Sequence, residues 1–301
     1  MGLETTQFGS TGIQVTRLGY GAMEIGKMPE DEVSILLNLV LDSGINFIDT
    51  SIDYEMSEEL IGKYISHRRS DYFLASKCGC YGKTEKVHVF DKANIIAGVN
   101  QSLKRMKTDY LDLVQLHSSP SKEVIEKDDL IQTLLDIKKE GKIRHIGSSS
   151  TLPSLPDHVQ MGVFDAFQIP YSALNREHEE WITTAFNSGA GTIIRGGVSK
   201  GELSGPSINS QNFIAEWGNY SKANLDELLE EGESRTAFIL RFTLSHPDLN
   251  TTIVGTKNKD HFQENIITAN KGRLSEDVYK EAKKRLAAIG VDANVSSGHV
   301  W

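Results

Sequence analysis

The sequence predicts an α/β fold: one (β/α)8 TIM barrel spanning residues 1–301, with an N-terminal β-hairpin and an extra C-terminal helix. Short apolar runs alternate with helical patterns eight times, at a spacing of about 35 residues, which suits such a barrel. The glycine fingerprint of a doubly wound nucleotide-binding sheet is incomplete, since Glu24 stands where its third glycine belongs. No linker, internal repeat or low-complexity tract interrupts the chain, which favours a single domain.

The predicted elements follow in a regular order after a hairpin that joins residues 5–8 to residues 14–16. The eight strands are short apolar runs: 18–21, 46–49, 72–76, 111–116, 145–148, 166–169, 192–195 and 252–254. The helices that follow them have apolar residues three and four positions apart: 29–43, 57–65, 92–106, 128–140, 152–161, 177–188, 234–244 and 259–270. A further helix at 275–289 ends the pattern, and a long polar loop is expected after residue 195.

The charge and the apolar pattern exclude several classes of partner. Lys and Arg total 32 against 41 Asp and Glu, so the net charge is −9. Such a surface disfavours nucleic acid and anionic membranes as partners. No apolar stretch approaches the ~18 residues of a membrane span, and the first residues lack a signal-peptide pattern. We therefore expect a cytoplasmic protein, while its oligomeric state stays open.

The only two cysteines, Cys78 and Cys80, are separated by one residue. Two cysteines cannot make a disulfide framework, and a zinc site is disfavoured because no second pair of ligands lies nearby in the sequence. We expect free thiols with no required role, and no metal.

Polar side chains end several of the predicted strands. Asp49, Lys77 and His117 end three successive strands, and Tyr54 follows the first of them. Each residue alone is more typical of a helix cap, a solvated side chain or simple packing. In a barrel, however, the carboxyl ends of the strands share one mouth, where catalytic residues lie. The four side chains are therefore expected to converge there.

Such a set of side chains can protonate a carbonyl oxygen. A tyrosine with a pKa near ~10 is a poor acid at neutral pH, but a nearby ammonium favours the phenolate and eases proton release. A carboxylate keeps that ammonium charged and in place, and a neutral histidine can orient the carbonyl. Together they could transfer a proton to the oxygen while a hydride reaches the carbon.

At these residues the chain resembles the aldo-keto reductase superfamily. Three segments carry the resemblance: residues 46–62, residues 102–117 and residues 141–147, the last reading Gly-Lys-Ile-Arg-His-Ile-Gly. The resemblance implies an intact catalytic tetrad of Asp49, Tyr54, Lys77 and His117. Tyr54 would be the general acid, Lys77 held by Asp49 would lower its pKa, and His117 would orient the substrate carbonyl.

The resemblance also implies an extended nicotinamide cofactor bound across the barrel, NADP(H) being favoured over NAD(H). Ser149, Ser150 and Gln168 would lie at its carboxamide, residues 196–203 along the pyrophosphate and residues 255–265 at the adenosine 2′-phosphate and adenine. The full predicted set is Ser149, Ser150, Gln168, Arg195, Gly196, Gly197, Val198, Gly201, Leu203, Gly255, Thr256, Lys257, Lys259, His261, Glu264 and Asn265. Lys257 and Lys259, beside a helix N-terminus, support the phosphorylated cofactor, although lysines are also ordinary in a solvated loop.

Three positions depart from the family pattern. Arg195 stands where an aromatic residue usually stacks on the nicotinamide, a role that a planar guanidinium can also fill. Glu55 replaces the usual glycine after Tyr54 and is expected to place a carboxylate at the pocket mouth. His261 stands where many relatives have an arginine for the 2′-phosphate, which weakens the NADP(H) prediction.

The leading functional prediction is an NADP(H)-dependent reductase of a small aldehyde or ketone. The alternatives are an NAD(P)-dependent sugar or polyol dehydrogenase working in the oxidative direction, and a cofactor-binding adaptor or sensor with little turnover. The complete tetrad argues against the adaptor. A barrel glycosidase would need two catalytic carboxylates at strand ends, and only Asp49 is obvious.

Overall fold

A computed structural model describes residues 2–80, 88–201, 211–293 and 295 of the chain. Eight parallel strands close into a barrel in the order β10-β3-β4-β5-β6-β7-β8-β9. A two-stranded antiparallel hairpin precedes it, β1 (Thr5–Gln7) and β2 (Gln14–Thr16). The barrel strands are β3 (Leu18–Gly21), β4 (Phe47–Asp49), β5 (Phe73–Cys78), β6 (Leu111–Leu116), β7 (Ile143–Ser149), β8 (Ala166–Pro170), β9 (Gly191–Arg195) and β10 (Thr251–Val254). The predicted barrel and hairpin are confirmed.

Helices surround the barrel and bury their apolar faces against it. They are α1 (Glu30–Asp42), α2 (Ser57–Tyr64), α3 (Lys92–Met106), α4 (Lys122–Lys127), α5 (Leu130–Lys139), α6 (Leu155–Gln160), α7 (Glu179–Asn187), α8 (Gln211–Lys222), α9 (Arg235–Leu244), α10 (Lys259–Lys271) and α11 (Glu276–Ala288). In α1 the buried positions Val33, Leu36, Leu37 and Val40 follow the helical period and form one stripe. No helix among the described residues is both long and apolar enough to cross a bilayer.

Alternation along the strands separates an outer core from the barrel interior. Ile48, Leu74 and Val114 belong to the large cluster between barrel and helices. Their neighbours Phe47 and Phe73 belong to a second cluster with Phe8, Val15, Ala75, Leu113, Ala166 and Ile193. Because side chains alternate faces every residue, the residues two positions further along these strands point the same way. The interior thus has an apolar floor below its polar mouth.

The hairpin segment closes this floor. The ring of Phe8 lies 5.7 Å from that of Phe47 and 5.2 Å from that of Phe73, centroid to centroid. A Cβ atom on Gly191 would come within 2.5 Å of the Phe8 ring, so glycine is required where β9 begins. The hairpin therefore contributes to the core at the end of the barrel opposite the carboxyl ends of the strands.

Two helices were not predicted. The helix expected at 128–140 is present as α5, but a further helix, α4, precedes it, and Asp129 between the two takes a left-handed conformation with φ 48°. Ser121 caps the unexpected α4 by accepting from the Val124 amide. The polar loop expected after residue 195 contains α8 and a 3₁₀ turn, Leu225–Leu228. Tyr220 and Leu225 are buried there, and this sparse apolar pattern was too weak to predict a helix.

Candidate active site

A buried ion pair forms the base of the barrel mouth. Lys77 is the penultimate residue of β5 and donates from Nζ to Asp49 Oδ1 at 2.6 Å and to the carbonyl oxygen of Thr50 at 2.8 Å. Neither side chain is more than 2% exposed. A charge in such a place is tolerated only when it is paired and hydrogen-bonded, so each partner fixes the other.

Two glutamines complete the shell around Asp49. Gln115 and Gln168 each donate from Nε2 to Asp49 Oδ2 at 3.0 Å. All three residues lie on inward-facing positions of β4, β6 and β8, two residues beyond floor residues. Sequence reasoning missed Gln115, although its spacing from Leu113 on the same strand was the signal that could have found it. The carboxylate thus accepts from three side chains.

Tyr54 lies above this pair in the loop that follows β4. Its ring centroid is 4.7 Å from Lys77 Nζ, so the phenol lies in the field of the ammonium. The ring of His117, the first residue after β6, approaches Tyr54 edge to face at 6.0 Å between centroids. The structure therefore brings Asp49, Tyr54, Lys77 and His117 together, as the strand-end pattern predicts.

The electrostatics differ from the sequence expectation in one respect. Burial raises the pKa of Tyr54 and outweighs the cation of Lys77, which lowers it as predicted. The net shift of the Tyr54 pKa is upward. Burial also disfavours the charged form of Lys77, but Asp49 and Tyr54 outweigh it and hold the Lys77 pKa above its usual range. Lys77 is accordingly a permanent cation beside a neutral phenol.

Arg195 ends β9 and points into the same mouth. Burial lowers the pKa of its guanidinium to about 10, while Tyr54 and Asp49 favour the charged form. These couplings place Arg195 in the same electrostatic environment as the tetrad. It is a half-buried cation next to the phenol rather than a surface residue.

The two serines predicted at the carboxamide differ in position. Ser149 ends β7 and donates to Gln168 Oε1 at 3.2 Å, so it is linked to the shell of Asp49. Ser150 is fully buried, and its hydroxyl contacts Ser148 at 2.8 Å and His158 Nδ1. The structure brings Ser149 and Gln168 to the tetrad and directs Ser150 into this separate network.

The predicted pyrophosphate segment begins with an unusual backbone. Gly196 and Gly201 have positive φ of 72° and 78°, with no atom within 4 Å of a Cβ built on either. Gly197 is needed for packing, since a Cβ there would lie 2.3 Å from Thr252 Oγ1. Val198 packs on the main core, and Leu203 lies outside the described residues. The glycines leave open backbone at the end of β9 where a ligand could approach closely.

The predicted phosphate-binding segment follows β10 and begins α10. Asn258 caps this helix by accepting from the amides of Asp260 at 2.8 Å and His261 at 3.3 Å. Tyr20 holds the segment to the barrel by donating to the Thr256 carbonyl at 2.9 Å. Its remaining predicted members are mostly exposed: Gly255, Lys257, Lys259, His261 and Glu264, with Asn265 half-buried. Within the described part of the chain, neither lysine pairs with a carboxylate.

Glu55 has a positive φ of 48°, a backbone conformation that favours glycine. Its carboxylate is 56% exposed and lies 3.5 Å from Lys27 Nζ, on the loop after β3. The departure from the usual glycine therefore puts a non-glycine residue in left-handed backbone beside Tyr54, with its charge paired at the surface.

Both cysteines are free, as predicted, and both are buried. Burial raises the pKa of the Cys78 thiol to about 12. Cys80 lies two residues further along the chain, and its Sγ is 3.0 Å from His117 Nδ1. The Cys80 thiol is therefore in contact with the tetrad, whereas the Cys78 side chain packs in the core between barrel and helices.

The chain matches the model of the Aldo/keto reductase family over residues 17–286. It is 30% identical to an uncharacterized oxidoreductase, YqkF of Bacillus subtilis, over 91% of this chain and 94% of that protein. It is 26% identical to L-galactose dehydrogenase of Arabidopsis thaliana, over 88% of this chain and 87% of the relative. The holo form of aldo-keto reductase AKR11C1 from Bacillus halodurans superposes with a TM-score of 0.83 at 27% identity, covering 94% and 96% of the two chains.

Proposed function

The chain belongs to the aldo-keto reductase family and is an NAD(P)H-dependent oxidoreductase; we propose that it reduces an aldehyde or ketone with NADPH, using Tyr54 as general acid. The observation that carries the proposal is the chain of contacts from Asp49 through the buried Lys77 to the Tyr54 hydroxyl.

The proton step follows from this arrangement. A phenol is neutral at physiological pH even at its ordinary pKa, and burial raises the pKa of Tyr54 further, so it carries a proton to donate. When that proton moves to the carbonyl oxygen, the phenolate left behind gains the full attraction of Lys77. The cation is fixed in advance by Asp49, so little reorganisation accompanies the step. A bound nicotinamide would supply the hydride that the carbonyl carbon receives.

His117 and Arg195 complete the proposed pocket. His117 borders Tyr54 at the end of β6, where its imidazole can hydrogen-bond the carbonyl oxygen that Tyr54 protonates. Arg195 lies on the opposite side of the barrel, on β9, and its planar guanidinium can stack on a flat ring. We assign His117 to substrate orientation and Arg195 to the nicotinamide face.

The neighbouring strands fit the rest of the cofactor. β7, β8, β9 and β10 are consecutive in the barrel, and the predicted cofactor residues other than Gln168, which lies within β8, end these strands or follow them. The open glycine backbone after β9 suits a pyrophosphate, and Lys257 and Lys259 suit the 2′-phosphate because described carboxylates leave them unpaired. These lysines support NADPH over NADH. Reduced thiols at Cys78 and Cys80 agree with the proposed cytoplasmic location.

Oxidation of a sugar or polyol is the second candidate, favoured by the similarity to L-galactose dehydrogenase. The same residues would serve, with Tyr54 as phenolate accepting the proton of the alcohol. The third prediction, a low-turnover adaptor, finds no support in a tetrad whose members all lie in contact.

Titration of the protein with NADPH and NADH, followed by intrinsic fluorescence, tests the cofactor half of the proposal. A panel of aldehydes, ketones and sugars, assayed in both directions, then tests the reaction. We expect saturable quenching, tighter with NADPH, and reduction faster than oxidation at neutral pH. A protein that responds to neither nucleotide, or that oxidises sugars but reduces no carbonyl, would contradict the proposal.

A further inference from the structure

Four potential metal ligands meet beside the tetrad: Asp53, Cys80, His88 and His117, here called the mouth cluster. One ligand atom from each lies within 4.8 Å of every other. His117 Nδ1 is 3.0 Å from Cys80 Sγ, 3.2 Å from His88 Nε2 and 3.6 Å from Asp53 Oδ1. No other such group occurs among the described residues.

We propose that the mouth cluster binds one zinc-class divalent cation. Bonds of ~2.0–2.3 Å to nitrogen, oxygen and sulfur in a tetrahedral site set the ligand atoms about 3.3 to 3.6 Å apart. The distances from His117 Nδ1 to His88 Nε2 and Asp53 Oδ1, 3.2 and 3.6 Å, lie close to this range, whereas the 3.0 Å to Cys80 Sγ is shorter, so a bound cation requires the thiol to move outward. A thiolate with two imidazoles selects zinc, cobalt or copper over magnesium or calcium.

Hydrogen bonds alone explain poorly why three polar groups surround His117 Nδ1. A neutral imidazole nitrogen either donates one hydrogen or accepts one. His117 Nδ1 nevertheless has a thiol, an imidazole and a carboxylate within 3.6 Å. Nδ1 can hydrogen-bond one of these neighbours at a time, and each neighbour also bonds elsewhere, Cys80 to the Cys78 carbonyl at 3.8 Å, His88 to Ser118 and Asp53 to Ser51. One cation, in contrast, would be bound by all four groups at once.

The fold holds the ligands in place from three strand ends. Asp53 follows β4, Cys80 follows β5 and His117 follows β6, and these strands are neighbours in the barrel. Ser51 donates to the Asp53 carboxylate and so orients it. Such outer partners stabilise metal ligands and tune their basicity.

A backbone hydrogen bond of the residue next to it holds His88 beside the cluster. The amide of Val89 donates to the Gly79 carbonyl at 2.8 Å. The ring of Phe90 covers Gly79 so closely that a Cβ there would lie 2.5 Å from it, and it stacks on His88 with 5.9 Å between centroids. The competing contact is the Ser118 hydroxyl, 3.0 Å from His88 Nε2, which metal binding would displace.

Metal binding can be tested without measuring turnover, so the result is independent of the proposed reduction. The untagged full-length protein is stripped with a chelator, kept reduced, and titrated with ZnCl2 by calorimetry and with CoCl2 by absorption. We expect one Zn²⁺ per chain. With Co²⁺ we expect visible bands of tetrahedral geometry and a thiolate-to-cobalt charge-transfer band in the near ultraviolet.

Two ligand variants and a matched control locate the site. Cys80→Ser should lose the charge-transfer band and bind Zn²⁺ at least tenfold more weakly, and His88→Ala should weaken Zn²⁺ binding by a similar factor. Cys78→Ser changes the other buried thiol, two residues away, and should keep the band and the affinity within about twofold. Circular dichroism establishes that each variant is folded.

The contradicting results are equally specific. A wild-type protein that binds no Zn²⁺ below millimolar concentration overturns the proposal. So does a charge-transfer band that survives Cys80→Ser, or one that depends on Cys78. Loss of affinity in Cys80→Ser together with unchanged affinity in folded His88→Ala would also overturn the four-ligand site.

Discussion

The tetrad side of the barrel and the proposed cofactor side are built in different ways. On β4, β5 and β6 the functional groups are buried side chains that bind one another, with Asp49 accepting from Lys77, Gln115 and Gln168. After β9 and β10 they are exposed lysines and open glycine backbone. The first side is organised before any ligand arrives, whereas the second presents charge and space that a ligand would complete. Changes on the first side should therefore affect chemistry and stability, and changes on the second should affect affinity alone.

Tyr54→Phe should produce the largest effect. The ring that packs against Lys77 and His117 is kept, but the proton donor is lost, so kcat should fall by roughly 10²- to 10⁴-fold. NADPH affinity, measured by fluorescence, should stay within twofold. Tyr64→Phe removes a hydroxyl that bonds Glu30 at the surface and should leave kcat unchanged. Near-normal turnover of Tyr54→Phe would remove Tyr54 from the acid role.

Asp49→Asn should be the most destabilising change. It leaves the buried Lys77 without its carboxylate, and breaking a buried pair in this way costs about 3–5 kcal/mol. Urea unfolding measures the loss. Asp109→Asn alters an exposed carboxylate and should change the unfolding free energy by less than about 0.5 kcal/mol. Equal stabilities of the two variants would show that the pair is not the fixed element proposed here.

The pH dependence should distinguish the two directions of reaction. Because burial raises the pKa of Tyr54, the phenol stays protonated at neutral pH and above. Reduction needs that proton, so its kcat/KM should be level through neutral pH and fall only in the alkaline range. Oxidation needs the phenolate and should rise as pH increases. Reduction that already declines near neutrality would contradict the upward shift.

Lys257→Ala should have the smallest effect, and it should change the affinity for only one of the two cofactors. An exposed lysine loses only a screened contact with the 2′-phosphate, so NADPH should bind about 3- to 10-fold more weakly. NADH, which lacks that phosphate, should be unaffected. Lys139→Ala on α5 removes an equally exposed lysine from the opposite end of the barrel and should change neither Kd. Equal weakening of both cofactors in Lys257→Ala would place the phosphate elsewhere.

Local pattern was sufficient for the barrel and for grouping the tetrad residues. The strands of a closed parallel barrel are short apolar runs, and residues at their carboxyl ends share one mouth, so position alone predicted that Asp49, Lys77 and His117 meet there, while their proposed roles rest on the family resemblance. The two failures, α4 and α8, lie where few apolar residues mark a helix. At α4 the backbone conformation depends on the Ser121 cap and on the left-handed Asp129 that follows the helix. At α8 it depends on the burial of Tyr220 against residues distant in the chain.

The sequence by itself determined the order of the barrel strands, the strand-end residues and the family, because each depends on residues near one another in the chain. Only the tertiary structure decided the net pKa direction of Tyr54, since burial is a sum over surrounding atoms from many segments. It also turned Ser150 toward His158 and brought Asp53, Cys80, His88 and His117 together. The sequence predicted no metal because it offered no paired ligand spacing. Ligands supplied singly by separate segments become a candidate site only once the barrel closes.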